Sequence, residues 1–130
     1  MGMKNLSILI AEENVFLREE LVDYISTFVD DIYQANNGIE AFDMYQKYKP
    51  SIILTDIDMP LLNGLELTEK IREVDENIEI IIISAYTYTE YLLSAIELDL
   101  VSYLAKPIQR NKLEDTLLKS IAIAKSRPEK

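Results

Sequence analysis

The sequence predicts an α/β fold, a single doubly wound domain with a five-stranded parallel sheet and five helices. Short apolar runs, typical of buried strands, alternate about five times with longer segments whose apolar residues recur at helical spacing. The length of 130 residues suits one domain of ordinary size, and no internal linker, repeat or low-complexity segment divides it. Alternating strands and helices of this kind form a parallel sheet covered by helices on both faces.

Five segments are predicted to be strands. Residues 6–11 (LSILIA) and 51–55 (SIILT) are continuous apolar runs, which indicates burial on both faces. Residues 31–35 (DIYQA) form a less apolar strand, and residues 78–84 (IEIIIIS) are the richest in β-branched side chains. Residues 100–105 (LVSYLA) form the last strand. Because crossovers between parallel strands are right-handed, we expect the flavodoxin-like strand order 2-1-3-4-5.

The segments between and after these strands are predicted to be helices. They lie within residues 12–28, from the NNG turn at 36–38 to the residues before Pro50, and over 65–74, 88–98 and 111–126. The side chains expected to face the sheet are Leu17, Leu21, Ile25 and Phe28 in the first helix, Ile39, Phe42, Tyr45 and Tyr48 in the second, Tyr88, Leu92, Ala95 and Ile96 in the fourth, and Leu113, Leu117, Ile121 and Ala124 in the last.

The predicted domain covers residues 6–125. Residues 1–5, which begin with MGMK, read as a tag or a disordered start, and residues 126–130 (SRPEK) read as a polar tail or the beginning of a linker. No apolar stretch approaches the ~20 residues that a membrane-spanning helix needs. We therefore expect no membrane association.

Composition excludes several kinds of chemistry. The chain has no cysteine and no histidine, which removes disulfides, thiolate or imidazole metal sites, and Ser/His/Asp catalysis. The lack of cysteine fits a cytoplasmic location. A net charge of −10 disfavours direct binding to nucleic acid, because duplex phosphates would repel the domain. Carboxylate, hydroxyl and lysine chemistry remain.

Polar side chains follow four of the predicted strands, at the carboxyl edge where open parallel sheets bind their ligands. These residues are Glu12 and Glu13 after the first strand, Asp56 and Asp58 after the third, Ser84 after the fourth and Lys106 after the fifth. Clustered carboxylates repel one another and call for a cation, and oxygen-only ligands match Mg²⁺. An aspartate beside such an ion can attack a phosphoryl group, while a lysine and a hydroxyl stabilise the transferred oxygens. The sequence therefore predicts phosphoryl-transfer chemistry at this edge.

The segments ILIAEEN, IILTDIDMPLLNGLEL, IIIISA and SYLAKP resemble the receiver domain of two-component response regulators. They occur in the order and at the intervals of that family, and the resemblance spans nearly the whole chain. It implies that the domain accepts a phosphoryl group and catalyses only its own phosphorylation and dephosphorylation, without being a conventional enzyme.

The resemblance also implies a role for each residue at the strand ends. The catalytic residues would be Asp56 as phosphate acceptor, Ser84 as switch hydroxyl and Lys106 as the lysine that pairs with the phosphate. Tyr103 would be the aromatic residue that turns inward on activation. The metal ligands would be Glu12, Glu13, Asp56 and the main-chain carbonyl of Asp58, with Mg²⁺ or Mn²⁺ as the cofactor. The peptide bond between Lys106 and Pro107 is expected to be cis.

The implied partners are a sensor histidine kinase or a phosphotransfer protein, and an output domain or effector protein. A homodimer is left open. The acidic pair departs from the family pattern, because Glu12 and Glu13 stand where the family has at least one aspartate. The extra methylene of glutamate moves the carboxylate outward, and Mg²⁺ tolerates poor octahedral geometry badly.

Three alternative interpretations bear on the aspartates. A degenerate receiver that binds partners without phosphorylation stays open because of the two glutamates. A phosphatase of the haloacid-dehalogenase type also uses an Asp-x-Asp pair, but that pair normally follows the first strand, with the acidic pair late in the chain. A calcium-binding loop is rejected, because residues 56–66 lack the acidic residue and the glycine at the middle positions of that motif.

Overall fold

The computed structural model describes residues 6–85, 93, 96 and 101–127, and its described strands form one parallel sheet. The strands are β1 (Ser7–Ala11), β2 (Asp31–Ala35), β3 (Ile52–Asp56), β4 (Glu79–Ser84) and β5 (Ser102–Ala105). Their order is β2-β1-β3-β4-β5, and every pairing is parallel. The predicted fold class and strand order are confirmed.

Four helices lie in the described part of the chain. They are α1 (Val15–Ile25), α2 (Gly38–Tyr48), α3 (Gly64–Val74) and α4 (Arg110–Ser126). The helix predicted over residues 88–98 falls outside the described residues except for Leu93 and Ile96, which are both helical. No helix among the described residues is long and apolar enough to span a membrane.

An asparagine cap begins each of the first three helices. The side chains of Asn14, Asn37 and Asn63 each accept a hydrogen bond from the main-chain N–H three residues later, at 2.8–3.1 Å. At α3 the side chain of Glu66 also accepts a hydrogen bond from the N–H of Asn63, which completes a capping box. These caps provide acceptors for main-chain N–H groups that have no partner within the helix. They also fix the residue at which each loop after a strand ends and its helix begins.

The strands divide their side chains between two apolar layers. Alternate residues of a strand point to opposite faces, so that Leu9 and Ile53 join the cluster under α2 and α3 while Ile8 and Ile52 join the cluster under α1 and α4. The central strand β3 is buried at all five positions. This two-sided burial explains why the central strands read as continuous apolar runs.

One part of the predicted core is wrong. Ile39 of α2 does not face the sheet and is 49% exposed, whereas Tyr48, although 40% exposed, stacks on Tyr33 of β2 with the ring centroids 4.3 Å apart. The buried residues of α2 are Gly38, Ala41 and the predicted Tyr45, and the predicted Phe42 packs against the cluster under α2 and α3. Gly38 lies so close to the main chain of Leu62 that a Cβ there would overlap the Leu62 carbonyl. This close contact holds the start of α2 against the loop before α3.

Candidate functional site

Glu12 is held in place on several sides where β1 ends. Its N–H donates to the carbonyl of Ala35 at 3.0 Å, which extends the pairing between β1 and β2 by one residue. Its Oε2 accepts from the N–H of Asn14 at 2.9 Å. The side chain is only 2% exposed, whereas the neighbouring Glu13 is exposed. The two glutamates of the predicted acidic pair therefore have different environments.

A single ammonium group links the ends of β1 and β3. Lys106 Nζ lies 2.9 Å from Oδ2 of Asp56 and 3.3 Å from Oε1 of Glu12. Asp56 is the last residue of β3 and is 4% exposed. The ion pairs join residues that are 50 and 94 positions apart in the chain. The fold has therefore brought together three of the residues that were predicted to converge.

The pKa shifts follow from this clustering. Burial raises the pKa of Glu12, and the nearby charge of Asp56 adds to that rise, against the opposing effects of the Asn14 N–H and of Lys106. Burial alone would lower the pKa of Lys106, but its hydrogen bonds and ion pairs with Asp56 and Glu12 outweigh burial and raise it. The ammonium is thus firmly charged, and it compensates two carboxylates that repel each other.

Asp58 has a different position from Asp56. Its side chain is exposed, and its N–H lies 3.4 Å from Oδ1 of Asp56. Across the described ranges, no three acidic side chains come together closely enough to hold a metal ion by themselves. Mg²⁺ usually takes only one or two carboxylates and completes its shell with carbonyls and water. The buried carboxylates of Glu12 and Asp56, which meet at the same ammonium, fit that requirement.

Ser84 and Tyr103 meet through the Ser84 main chain. Ser84 is the last residue of β4 and is 1% exposed. Its carbonyl accepts from the Tyr103 hydroxyl at 3.2 Å and from the Lys106 N–H at 3.0 Å. Tyr103 is half-buried and packs against the cluster under α2 and α3. Two residues of the predicted switch, Ser84 and Tyr103, are thus in direct contact. The main-chain N–H of Lys106, the residue after β5, bonds to the same Ser84 carbonyl.

Two residues at this edge were not predicted to matter. Gly64 begins α3 so close to β3 that a Cβ would overlap the Asp56 carbonyl, and its N–H donates to Ile57 at 2.9 Å. The guanidinium group of Arg18 on α1 donates to the main-chain carbonyl of Glu12. The sequence signal for Gly64 was its position after the two aspartates, Asp56 and Asp58, in the same segment. The sequence marks Arg18 only by its charge.

Comparison with known families identifies the family to which this domain belongs. A model described as the response regulator receiver domain matches residues 8–118. This chain belongs to the response regulator receiver domain family. The cis peptide bond between Lys106 and Pro107, which the resemblance implied, is present in the receiver domain. The predicted roles of the individual site residues stay predictions.

Curated relatives of this receiver domain differ in length. The sensory transduction protein LytT of Oceanobacillus iheyensis is 38% identical over 112 residues, which are 84% of this chain and 45% of that protein. The sporulation initiation phosphotransferase F of Bacillus subtilis is 29% identical over 121 residues, which are 93% of this chain and 98% of that protein. The chain thus spans less than half of the first relative and nearly all of the second.

Solved structures give the same assignment. The N-terminal domain of an uncharacterized protein from Wolinella succinogenes is 36% identical with a TM-score of 0.81, over 91% of this chain and 95% of that one. A two component transcriptional regulator from Clostridium phytofermentans is 32% identical with a TM-score of 0.82, over 92% and 95%. CheY in a CheX-CheY-BeF3-Mg complex from Borrelia burgdorferi is 26% identical with a TM-score of 0.80, over 89% of both chains.

Proposed function

We propose that this receiver domain accepts a phosphoryl group on Asp56 from a partner histidine kinase or phosphotransfer protein, in a reaction that needs Mg²⁺ or Mn²⁺. The observation that carries the proposal is the contact of Lys106 Nζ with both Asp56 and Glu12 at the carboxyl edge of the sheet. A buried carboxylate beside an ammonium group and a second carboxylate has groups that phosphoryl transfer requires.

The chemical step transfers a phosphoryl group from a phosphohistidine to Asp56. An oxygen of the Asp56 carboxylate forms a bond to phosphorus while the bond between phosphorus and the imidazole nitrogen of the donor breaks. The electron pair of the broken bond stays with that imidazole nitrogen. Because these 130 residues contain no histidine, the phosphohistidine lies outside them. The product is an acyl phosphate on Asp56.

Lys106 changes partner during this step. Before transfer, its ammonium neutralises Asp56 at 2.9 Å and Glu12 at 3.3 Å. The phosphoryl oxygens take over the negative charge once Asp56 becomes an acyl phosphate. Since an ammonium group has three rotatable donors on a flexible stem, Lys106 reaches these oxygens without a change in the main chain.

Glu12 and Asp56 would hold the metal ion, together with the main-chain carbonyl of Asp58 and with Glu13 from the surface. When bound, Mg²⁺ supplies positive charge to the transferred oxygens. Glu12 is already fixed by the Asn14 N–H and by strand pairing, so its carboxylate needs little reorganisation to act as a ligand. The CheY of Borrelia burgdorferi, whose structure contains BeF3 and Mg, supports this choice of ion.

Ser84 and Tyr103 would carry the signal away from Asp56. The phosphoryl group carries about two negative charges and several acceptor oxygens, which attract the Ser84 hydroxyl. The Ser84 carbonyl accepts a hydrogen bond from the Tyr103 hydroxyl, so a shift of β4 at this point would directly alter the position of the Tyr103 side chain. The helical segment that includes Ile96, together with β5 and α4, would then present a changed face to an output domain, an effector protein or a second copy.

Replacement of the acceptor tests this proposal. Asp56→Asn should abolish labelling by acetyl phosphate in the presence of Mg²⁺, because the amide is not a nucleophile at this position. Asp58→Asn is the matched control, since Asp58 is exposed and lies two residues away. It should keep its labelling. Measurement is by mass spectrometry of the intact protein.

Two results would contradict the proposal. Labelling of Asp56→Asn to the level of the wild type would show that another residue is the acceptor. A wild-type protein that never labels, even with excess donor, would favour the alternative of an interaction module that works without phosphorylation. Membership of the receiver family removes support from the phosphatase alternative, which would require turnover of a small phosphate ester.

A further inference from the structure

Arg18 connects three elements at the carboxyl edge of the sheet. Its Nη1 donates to the main-chain carbonyl of Glu12 and to Oδ1 of Asn36, both at 2.6 Å. Its Nε donates to Oε1 of Gln34 at 3.1 Å. Arg18 itself lies on α1, Glu12 follows β1, and the two amide side chains belong to the end of β2 and the turn after it. One guanidinium group therefore joins α1 to the ends of two strands.

The acceptors on the β2 side are themselves held. Asn36 donates its N–H to Oε1 of Glu40 at 2.8 Å, and Glu40 lies in the first turn of α2. The amide oxygen that Arg18 contacts thus sits on a turn that is anchored to the start of α2. All three acceptors of Arg18 are neutral oxygens, so these contacts fix geometry and do not neutralise a charge.

The carbonyl that Arg18 contacts belongs to the peptide unit between Glu12 and Glu13. The orientation of this peptide determines the direction in which both glutamate side chains leave the main chain. Glu12 is also fixed by its side-chain contacts, but Glu13 is exposed, and its position depends on the main chain alone. A glutamate has one more rotatable bond than an aspartate, so more conformational freedom is lost when its carboxylate is fixed at an ion, and a fixed main chain removes part of that cost in advance.

We infer that Arg18 is the positioning residue of the Glu12–Glu13 pair and raises the affinity of the domain for a divalent cation. This inference rests on the proposed function, because it assumes that the pair binds Mg²⁺. Arg18 raises this affinity because it holds the peptide unit between the two glutamates in a fixed orientation relative to the turn after β2. Its role is geometric, and it touches neither the phosphoryl group nor the metal ion.

Charge and geometry give opposite expectations for removal of Arg18. A positive charge near a cation site repels the cation, so loss of the charge alone would tighten Mg²⁺ binding. Loss of the geometric support would weaken it, because Mg²⁺ demands near-ideal coordination. The direction of the change in affinity therefore separates the two roles.

The experiment is calorimetric titration of the whole domain with MgCl₂, without a phosphodonor. Arg18→Met should bind Mg²⁺ roughly tenfold more weakly than the wild type, which is the usual loss when an outer contact of a metal ligand is removed. Arg127→Met is the matched control, because Arg127 pairs with Glu79 at the start of β4, far from Asp56 in the sheet. It should bind Mg²⁺ as the wild type does.

Arg18→Lys keeps the charge and loses the planar fork, so it should also bind Mg²⁺ more weakly than the wild type. A thermal unfolding experiment without Mg²⁺ shows whether Arg18→Met folds. If it does not fold, Arg18→Lys is the variant whose Mg²⁺ binding tests the inference. Unchanged or tighter binding by the folded variants would overturn the inference and leave the proposed function intact. Absence of Mg²⁺ binding by the wild type would overturn both.

Discussion

Asp56 and Asp75 are two acidic residues that the fold uses in different ways. Asp56 ends β3 at the carboxyl edge of the sheet, and its close partner is the ammonium of Lys106. Asp75 ends α3 just before β4, and its Oδ1 accepts from the N–H groups of Asn77 and Ile78 at 2.9 and 3.1 Å. Its Oδ2 accepts from the Tyr45 hydroxyl at 3.1 Å.

The difference lies in what holds each carboxylate. The N–H groups that bond Asp75 belong to its own loop, so the carboxylate and the turn stabilise each other and neither can leave. Asp56 accepts one long hydrogen bond from its own loop, from the Asp58 N–H at 3.4 Å, and its shortest contact is with a flexible side chain from 50 residues away, which can change its partner. We therefore expect Asp75 to be structural, whereas Asp56, paired with a mobile cation, is available for chemistry.

Removal of Asp75 should give the largest effect on stability. Asp75→Ala leaves two loop N–H groups and the buried Tyr45 hydroxyl without this acceptor, which should cost about 2 kcal/mol in the free energy of unfolding. Labelling of the folded protein by acetyl phosphate should be unchanged. Urea denaturation measures the first quantity and mass spectrometry the second.

Asp43→Ala serves as the control for this change, since Asp43 is an exposed aspartate on α2. It should leave both quantities as they are. If Asp75→Ala abolished labelling while the domain stayed folded, the division between a structural and a chemical aspartate would be wrong.

A smaller effect is expected at the acidic pair. Glu13→Asp should strengthen Mg²⁺ binding roughly three- to tenfold, because a shorter side chain loses less rotational freedom when it is fixed at the ion. Calorimetric titration with MgCl₂ measures the change. Glu19→Asp, on the exposed side of α1, is the control and should not alter the affinity. Weaker or unchanged binding by Glu13→Asp would show that side-chain length at this position does not limit the site.

The last effect should appear only at alkaline pH. Burial, followed by the charge of Asp75 and its hydrogen bond, raises the pKa of Tyr45 from 10.0 to about 12. A tyrosine whose pKa is raised by folding stabilises the native state fully below the pKa of the unfolded chain. That contribution is lost as the pH rises from 10 to about 12, because the unfolded state releases its proton first.

Comparison with Tyr45→Phe isolates this effect. The stability advantage of the wild type over Tyr45→Phe should be constant below pH 10 and should decline between pH 10 and about 12. Urea denaturation at several pH values measures it, and the other tyrosines cancel in the difference. An advantage that stays constant up to pH 12 would show that folding does not raise the pKa of Tyr45.

The sequence was sufficient to predict the sheet and the edge at which the site lies. Apolar runs such as residues 51–55 report burial on both faces, and parallel pairing then forces every strand to end at the same edge. Glu12, Asp56 and Lys106 could be expected to converge for that reason alone.

Other features depend on contacts between distant segments, which spacing does not encode. Glu12 and Glu13 are identical neighbours, yet only Glu12 is buried, because its N–H continues the pairing with β2. Arg18 lies among the polar residues of α1, and its role follows from a turn 18 residues later. At the start of α2, Gly38 is buried and Ile39 is exposed, and the contact of Gly38 with the main chain of Leu62 is one that apolar spacing does not encode.

The ion cluster of Glu12, Asp56 and Lys106 has a consequence for thermodynamic linkage. Two carboxylates and one ammonium leave one uncompensated negative charge in a largely buried place. A divalent cation alone would turn this into one excess positive charge. A doubly charged phosphoryl group that replaces the charge of Asp56 would then bring the cluster to neutrality. Cation and phosphoryl group should therefore favour each other's presence by the same free energy, whichever of them arrives first.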